Sequence, residues 1–318
     1  MYFPYLRGRQ YELLALRELV NNNRVGKYVI PIVEPVKLSP TLVSVMEDYI
    51  RAEQKIAIIR NPSVGTFMSD WTNAREESKE EGYKKRFTEQ YDNNNVIKSI
   101  LMQDNATSYL DFFERNNYKK SDMLVINNDR SKLDLYEKNF DEELPQYVLV
   151  PDERIFRRRV HSNKVLLDDK FEKQPRNADY ILSDDEFFSE DHLYYKEEEY
   201  VGFSDYSVVG KDYQENGFAP YAVAIHIVYF AKDDSLRIRH FVSVSNEDIA
   251  NPAMKFYEAV EKMAKWFYTS PAPVQLTMGL KGLLDHYENQ TYPGLGTVKK
   301  LSIMHHIELV SNYLMENH

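Results

Sequence analysis

The chain has 318 residues, of which 43% are hydrophobic, and carries a formal net charge of −10. This length can bury a sizeable core in one large α/β domain or two ordinary ones, and the composition argues against wholesale disorder. The lack of cysteine excludes disulfides, thiolate nucleophiles and cysteine-ligated metals, and the acidic balance disfavours non-specific nucleic-acid binding.

The amino-terminal segment, MYFPYLRGRQ, has no long apolar stretch, and no run in the chain approaches ~18 consecutive apolar residues. We therefore expect a cytoplasmic protein that does not contact the membrane. Arg7 and Arg9 flank Gly8, and a helical pattern of leucines at positions 13, 16 and 19 follows them.

The segment Lys27–Leu38, KYVIPIVEPVKL, is the most informative element of the sequence. Its apolar run ends at Glu34, and Pro35 follows. Hydrophobic residues on both faces predict a strand buried on both sides, as in a parallel sheet covered by helices. Ser39 and Pro40 then predict the start of a helix, because serine is a favoured N-cap and proline a favoured first residue.

The same arrangement, an apolar run that ends in polar residues, recurs along the chain. The recurrences are 55–62, 122–129, 146–153, 163–169 and 199–206. Between them, the spacing of apolar residues over 96–116 predicts a helix, and a second helix is expected around 184–195. Dense mixed charge over 70–95 predicts a solvated insertion or an exposed helix.

Two later runs, 221–230 and 236–245, flank the turn Asp233–Asp234–Ser235 and predict an antiparallel hairpin. Six strand–helix repeats followed by two more strands favour an α/β fold, namely an irregular (β/α) TIM-like barrel with a late antiparallel hairpin. An open doubly wound sheet fits nearly as well. No composition break divides the chain, so we expect a single barrel-like domain over 1–318, with 70–95 as a charged insertion.

In a parallel barrel, the carboxyl ends of the strands gather at one mouth, and polar residues there are candidates for chemistry. The candidate catalytic residues are Glu34, Asp152, Asp168, Asp205 and, if its side chain points inward, His226. Asn127, Asp129 and Asp169 also lie at predicted strand ends. Asp168 and Asp205 are the candidate ligands of a Mg²⁺ or Mn²⁺ ion, which would activate water; paired carboxylates could also do acid–base work without metal. Asp and Asn also follow strands because they cap helices and make turns, so each residue has a purely structural alternative.

Arginine side chains provide the candidate anion-binding groups. Arg60, after the second apolar run, could hold an anionic ligand in a bidentate way. The other candidates are Arg7, Arg9, Arg157, Arg158 and Arg159. The last three belong to a basic segment, 154–164, that could bind phosphate, nucleic acid or an acidic partner, or could be an exposed helix balanced by nearby acids.

Four segments, MYFPYLRGRQYELLALREL, IPIVEPVKLS, GFSDYSVVG and YPGLGTVKKLSIMHHIEL, together resemble the bacterial "beta family" proteins. The matching segments extend from residue 1 to about residue 309. The resemblance implies a single-domain barrel-like fold and a setting in mobile or defence-related gene neighbourhoods, sometimes beside a nuclease. It assigns no catalytic residue.

Three functions follow as hypotheses. The first is a component of an anti-phage defence-type module that binds a partner protein, such as a nuclease encoded nearby, or a small anionic ligand at the barrel mouth. The second is a metal-dependent hydrolase, most plausibly a phosphodiesterase, that uses the strand-end carboxylates. The third is a nucleic-acid-binding subunit that works through the basic segment.

Overall fold

The structure is a computed structural model that describes residues 1–214, 220–270 and 274–317. The chain divides into two compact units. The first contains Met1–Asp168 and Tyr194–Asp205, and the second contains Asp169–Leu193 and Tyr206–His318. The expectation of a single domain stays a prediction, and each unit is described by itself.

The elements of the described residues are as follows. The strands are β1 (Tyr5–Leu6), β2 (Ile32–Val33), β3 (Ile56–Ile59), β4 (Val96–Leu101), β5 (Leu124–Ile126), β6 (Tyr147–Val150), β7 (Lys164–Leu167), β8 (Asp185–Ser189), β9 (Gly202–Ser204), β10 (Ala224–Phe230) and β11 (Leu236–Val242). The α-helices are α1 (Gln10–Asn21), α2 (Pro40–Arg51), α3 (Phe67–Asn73), α4 (Lys79–Tyr91), α5 (Ala106–Arg115), α6 (Leu133–Phe140), α7 (Arg154–Arg159), α8 (Asp191–Tyr194), α9 (Pro252–Thr269), α10 (Met278–Glu288) and α11 (Leu295–Asn317).

The first unit is a nearly closed parallel barrel of eight strands, in the order β1 to β7 and then β9. The amino-terminal segment bridges the two edges of the sheet: Tyr2 forms isolated parallel bridges with both Val29 and Phe203. The backbone N–H of Phe3 also donates to the carbonyl of Phe203 at 2.9 Å. The α/β barrel with a late antiparallel hairpin, predicted from the sequence, is therefore confirmed.

Alternation along the strands separates an interior face from a face covered by helices. Phe3 and Tyr147, on opposite parts of the wall, have ring centroids 4.9 Å apart, which identifies their face as the interior. Gly202 lies on this face, where a Cβ atom would come within 2.7 Å of the Phe3 ring. The register places Tyr5, Ile32 and Glu34 on the same interior side.

The second unit is built on a three-stranded antiparallel sheet in the order β10, β11, β8. The hairpin pairs Ala224 with Val242 at one end and Phe230 with Leu236 at the other. Helix α11 packs closely against α10, as the space at Gly279 shows: a Cβ atom there would lie only 2.2 Å from the carbonyl oxygen of Leu301. The unit is thus a helix-covered sheet with its own core.

Several assignments made from the sequence were wrong in detail. Residues 96–101 form strand β4 and not the start of a helix, although apolar residues at 97, 100 and 101 have helical spacing. The two hairpin strands are not barrel strands, and their places are taken by β4 and by the two-residue β1. Residues 185–189, expected to be helical, form β8.

The charged segment 70–95 is helical over most of its length and connects β3 to β4. Ser78 caps α4, since its hydroxyl accepts from the backbone N–H of Glu81 at 3.1 Å. Phe87 and Tyr91 are buried on one side, and the other α4 residues are exposed or half-buried. The segment therefore supplies a crossover helix that covers the barrel.

Candidate functional site

The carboxylate of Glu34, directly after β2, is occupied by hydrogen bonds from neighbouring loops. Oε2 accepts from the Tyr5 hydroxyl at 2.6 Å and pairs with the Arg7 guanidinium. Oε1 accepts from the backbone N–H and the hydroxyl of Ser63 at 2.7 and 2.8 Å. Glu34 is 0% exposed. Four donors match the acceptor capacity of a carboxylate, so Glu34 ties together the loops after β1, β2 and β3.

Two glycines allow these loops to approach one another. Gly65 has φ +75°, and a Cβ atom there would lie 2.2 Å from the carbonyl oxygen of Val36. The same oxygen accepts from the backbone N–H of Thr66 at 2.7 Å. Gly8, at φ +64°, would place a Cβ atom 3.0 Å from the carbonyl oxygen of Glu34. Both positions need the left-handed conformation that glycine adopts without strain.

Arg60 follows the last residue of β3, and its side chain is buried at the carboxyl-terminal rim of the barrel. Its backbone N–H donates to the carbonyl of Ser99 at 2.8 Å, so the strand pairing extends to this residue. Alternation puts Arg60 on the helix side of the wall together with Ile58. The guanidinium carbon lies 4.0 Å from the Trp71 ring centroid and 6.0 Å from that of Phe67.

The Arg60 guanidinium has no carboxylate partner among the residues that the structure describes. Arg60 is 8% exposed, and its Nη1 lies 4.0 Å from the sulfur of Met68. The Tyr109 hydroxyl donates to the same sulfur at 3.5 Å. Burial lowers the pKa of Arg60, yet a guanidinium remains charged at any pH that proteins tolerate. A buried charge without a counter-ion is costly, and an oxyanion would remove that cost.

The loops on either side of Arg60 are held by amide side chains. Asn61 donates from Nδ2 to the carbonyl of Leu101 at 2.9 Å, and its Oδ1 accepts from the backbone N–H of Leu101 at 2.8 Å. Gln103 donates to the backbone carbonyl of Asn61 at 2.7 Å. The ends of β3 and β4 are therefore joined rigidly beyond the sheet itself.

Two of the predicted strand-end acids, Asp205 and Asp152, each accept from a tyrosine hydroxyl. Asp205 is buried, and its Oδ1 accepts from the Tyr2 hydroxyl at 2.9 Å; burial and this carboxylate raise the pKa of Tyr2 well above its usual value. Asp152 is exposed, accepts from the Tyr200 hydroxyl at 3.0 Å and pairs with Arg157 at 3.3 Å.

Asp168 is exposed at the end of β7. Within residues 1–214, 220–270 and 274–317, no group of three or more His, Asp or Glu side chains is placed to hold a metal ion. The Mg²⁺ or Mn²⁺ site at Asp168 and Asp205 stays a prediction.

His226 was expected on a barrel strand, and this strand assignment was wrong. The residue lies on β10, in the antiparallel sheet of the second unit, and not on a barrel strand. Asp169 also belongs to the second unit, where its Oδ2 accepts from the backbone N–H of Lys211 at 2.9 Å. The strand pattern alone did not distinguish hairpin strands from barrel strands.

Two further polar residues follow β5. Asn127 is 0% exposed, and among the described residues neither its side-chain oxygen nor its nitrogen has a hydrogen-bond partner. An unsatisfied buried amide costs about 1–3 kcal/mol. Asp129 has a structural role, since its Oδ1 accepts from the backbone N–H of Ser131 at 2.8 Å at the start of a 3₁₀ turn.

The remaining candidate arginines are mostly engaged with acids or backbone. Arg159 pairs with Asp134 and Glu137, so the expected balance of the basic segment by nearby acids holds at this position. Arg9 is the N-cap residue of α1, and its backbone N–H donates to Oε2 of Glu12 at 3.4 Å. Arg158 is exposed.

Trp71 and Tyr109 were missed from the sequence because neither follows a strand directly. Trp71 lies within the charged segment, where it is the single tryptophan among acids and lysines. A large aromatic side chain in such a segment needs a packing partner, and this was the available signal.

The comparisons add no relative: no family model, no curated protein and no solved structure matches the chain. The resemblance to the beta family proteins stays a prediction. Among the described residues, no helix is both long and apolar enough to pass through a membrane.

Proposed function

We propose that the carboxyl-terminal rim of the barrel binds a small oxyanionic molecule, one with a phosphate or carboxylate group, and that Arg60 is its anchor. The observation that carries this proposal is a buried guanidinium that has an aromatic platform but no carboxylate partner among the described residues. Arginine suits this role because its planar fork presents two parallel N–H donors to an oxyanion.

The surroundings of Arg60 support a small ligand in preference to a polyanion. The net charge of −10 repels extended polyanions from most of the surface. Glu34, the nearest strand-end acid along the chain, already accepts four hydrogen bonds and does not compete for Arg60. Stacking on Trp71 restrains the guanidinium before the ligand arrives, which reduces the entropic cost of binding.

The proposal is tested by calorimetric titration of the full chain with inorganic phosphate, pyrophosphate and citrate. The wild type is compared with Arg60→Gln and with Arg158→Gln, which makes the same charge change at an exposed arginine. We expect Arg60→Gln to abolish binding and Arg158→Gln to leave it unchanged. Equal binding by all three proteins would contradict the proposal, as would no binding of any of these anions by the folded wild type.

A second variant covers the case in which Arg60→Gln does not fold. Arg60→Lys retains the positive charge but loses the planar fork, so we expect weaker anion binding by a folded protein. Thermal stabilisation by phosphate provides an independent readout. Because phosphate also stabilises proteins by exclusion from their surface, the quantity to compare is the difference between Arg60→Lys and Arg158→Gln at equal salt.

The proposal retains the ligand-binding part of the first hypothesis. A protein partner in a defence-type module rests on the family resemblance and stays a prediction. The hydrolase and nucleic-acid hypotheses also stay predictions. Asp152 and Asp205 each accept from a different tyrosine hydroxyl, and Arg157 and Arg159 of the basic segment are paired with acids.

A further inference from the structure

Three titratable side chains form a row across the antiparallel sheet of the second unit. Glu186 on β8 and His240 on β11 are joined by a contact of 3.0 Å between Oε1 and Nε2. His240 and His226, cross-strand partners on β11 and β10, have their Nδ1 atoms 2.6 Å apart. A distance this short between two ring nitrogens requires one proton between them, since two lone pairs or two N–H groups would repel.

The direction of the hydrogen bonds in this row follows from the chemistry of Glu186, the carboxylate at one end of the row. An ionised carboxylate only accepts hydrogen bonds, so His240 donates from Nε2 to Glu186. Neutral His240 then has a lone pair on Nδ1 and accepts from Nδ1–H of His226. This assignment leaves Nε2 of His226 with a lone pair. Nε2 has no hydrogen-bond partner within the described part of the chain.

The two imidazoles differ in their access to solvent. The side chain of His240 is 0% exposed, whereas His226 is half-buried. The Tyr180 ring lies 4.6 Å from that of His240 and 4.7 Å from that of His226, and the Phe171 ring lies 5.0 Å from His226. These aromatic rings pack on both histidines, and His226 is the more exposed of the two.

We propose that Glu186, His240 and His226 form a proton relay that ends at Nε2 of His226, where a water molecule or a hydroxyl group of a ligand gives up a proton. When Nε2 of His226 takes the proton, the Nδ1 proton moves to His240. The positive charge then lies on His240, beside the Glu186 carboxylate. The carboxylate therefore stabilises the protonated state through an intervening ring.

Burial favours the uncharged, proton-accepting state of both histidines at neutral pH. Burial lowers the pKa of His226 well below its usual value, and His240 and Lys299 add to this effect. Burial also lowers the pKa of His240, against the opposing influence of Glu186 and, further away, of Asp184 and Asp185. Tyr180 also faces the pair, and burial raises its own pKa.

Nuclear magnetic resonance of the full chain with ¹⁵N-labelled histidine tests the assignment at pH 7. We expect the Nδ1–H tautomer for His226 and the Nε2–H tautomer for His240. Free histidine prefers Nε2–H, so the expected tautomer of His226 is diagnostic. In His240→Gln, an amide N–H can donate to Nδ1 of His226, and we expect His226 to change to Nε2–H. An Nε2–H tautomer for His226 in the wild type would overturn the proposal.

Diethyl pyrocarbonate tests whether the lone pair on Nε2 can be used. Nε2 attacks a carbonyl carbon, ethyl carbonate leaves, and the Nδ1 proton of His226 passes to His240. We expect modification of His226 to be about tenfold slower in Glu186→Gln, the change that corresponds to one pKa unit. Glu190→Gln makes the same charge change at an exposed glutamate on the same segment and should have no effect. Equal rates in the two variants would overturn the relay.

Discussion

The guanidinium carbon of Arg60 lies 4.0 Å from the centroid of the Trp71 ring, and Trp71 belongs to helix α3 and not to a barrel strand. Trp71 is itself held by Phe87 of α4, with ring centroids 5.4 Å apart. The position of Arg60 thus depends on the crossover segment between β3 and β4. An arginine stacked in this way is both restrained and weakly hydrated, which favours exchange of its water for an oxyanion.

Replacement of Trp71 by leucine should weaken anion binding without abolishing it. The substitution removes the cation–π contact, which is worth about 1 kcal/mol, or roughly fivefold in Kd for phosphate. The measurement is calorimetric titration with phosphate. Trp266→Leu is the matched control, because Trp266 also contacts an arginine, Arg239 at 5.7 Å, but belongs to the second unit. The same loss in both variants would contradict the role given to Trp71.

Replacement of Glu34 by glutamine should destabilise the first unit. The amide has one acceptor oxygen where four donors now converge, and the substitution removes the carboxylate that pairs with Arg7. Breaking a buried, bonded pair of this kind costs about 3 kcal/mol. Urea unfolding at pH 7 measures the change. Glu114→Gln, at an exposed position of α5, should stay within about 0.5 kcal/mol of the wild type. An unchanged free energy of unfolding in Glu34→Gln would show that the carboxylate is not structural.

Replacement of Gly65 by alanine should both destabilise the protein and weaken anion binding. The new Cβ atom would lie 2.2 Å from the Val36 carbonyl oxygen, and the positive φ adds about 1–2 kcal/mol of strain. Relief of the clash must move the loop that joins Arg60 to α3. Gly82→Ala is the matched control, since a Cβ atom there meets nothing within 4 Å. In the helix α4 it should stabilise by about 0.5–1 kcal/mol. Similar unfolding curves for the two variants would contradict this account.

Much of the fold followed from the sequence because buried parallel strands have a strong local signature. The segments around Glu34, Arg60, Asp152 and Asp168 were recognised as strand ends because each followed an apolar run. Strand β4 was not predicted because Ile97, Ile100 and Leu101 have the spacing of a helix. In a short apolar run, periodicity alone cannot distinguish a strand from a helix. The two-residue β1 carries no such signal, and its pairing is set by the closure of the barrel.

The candidate site followed from the sequence only in part, for a physical reason. Arg60 could be identified from its place after a strand, but its lack of a carboxylate partner depends on which side chains surround it in space. Glu34 looked equally promising in the sequence, and only its four hydrogen bonds distinguish it as a structural group. The pairing of His226 with His240 depends on the register of the hairpin, because a shift of one residue would place the two side chains on opposite faces of the sheet.

The buried histidines of α11 should make the second unit sensitive to mild acid. His305 is 0% exposed, with Nδ1 2.7 Å from the Thr277 hydroxyl and Nε2 2.6 Å from the Val228 carbonyl oxygen. Burial lowers the pKa of His305 to about 4 and that of His306 to about 3. The unfolded chain, with a usual histidine pKa of about 6.5, binds more protons below that pH than the folded unit does. Stability is therefore fully present above pH 6.5 and is lost as the pH falls toward 4.

Each of these histidines should contribute a loss of about 1.4 kcal/mol per pH unit within that window. Urea unfolding between pH 7.5 and about 5 measures the slope, with Trp266 fluorescence in the Trp71→Leu background as the reporter for the second unit. His305→Gln removes one titrating group and should reduce the slope, whereas His161→Gln, at an exposed position, should not. Because carboxylates titrate alike in all three proteins, the comparison isolates the histidine. The same slope in His305→Gln and in the wild type would exclude His305 as a cause of acid sensitivity.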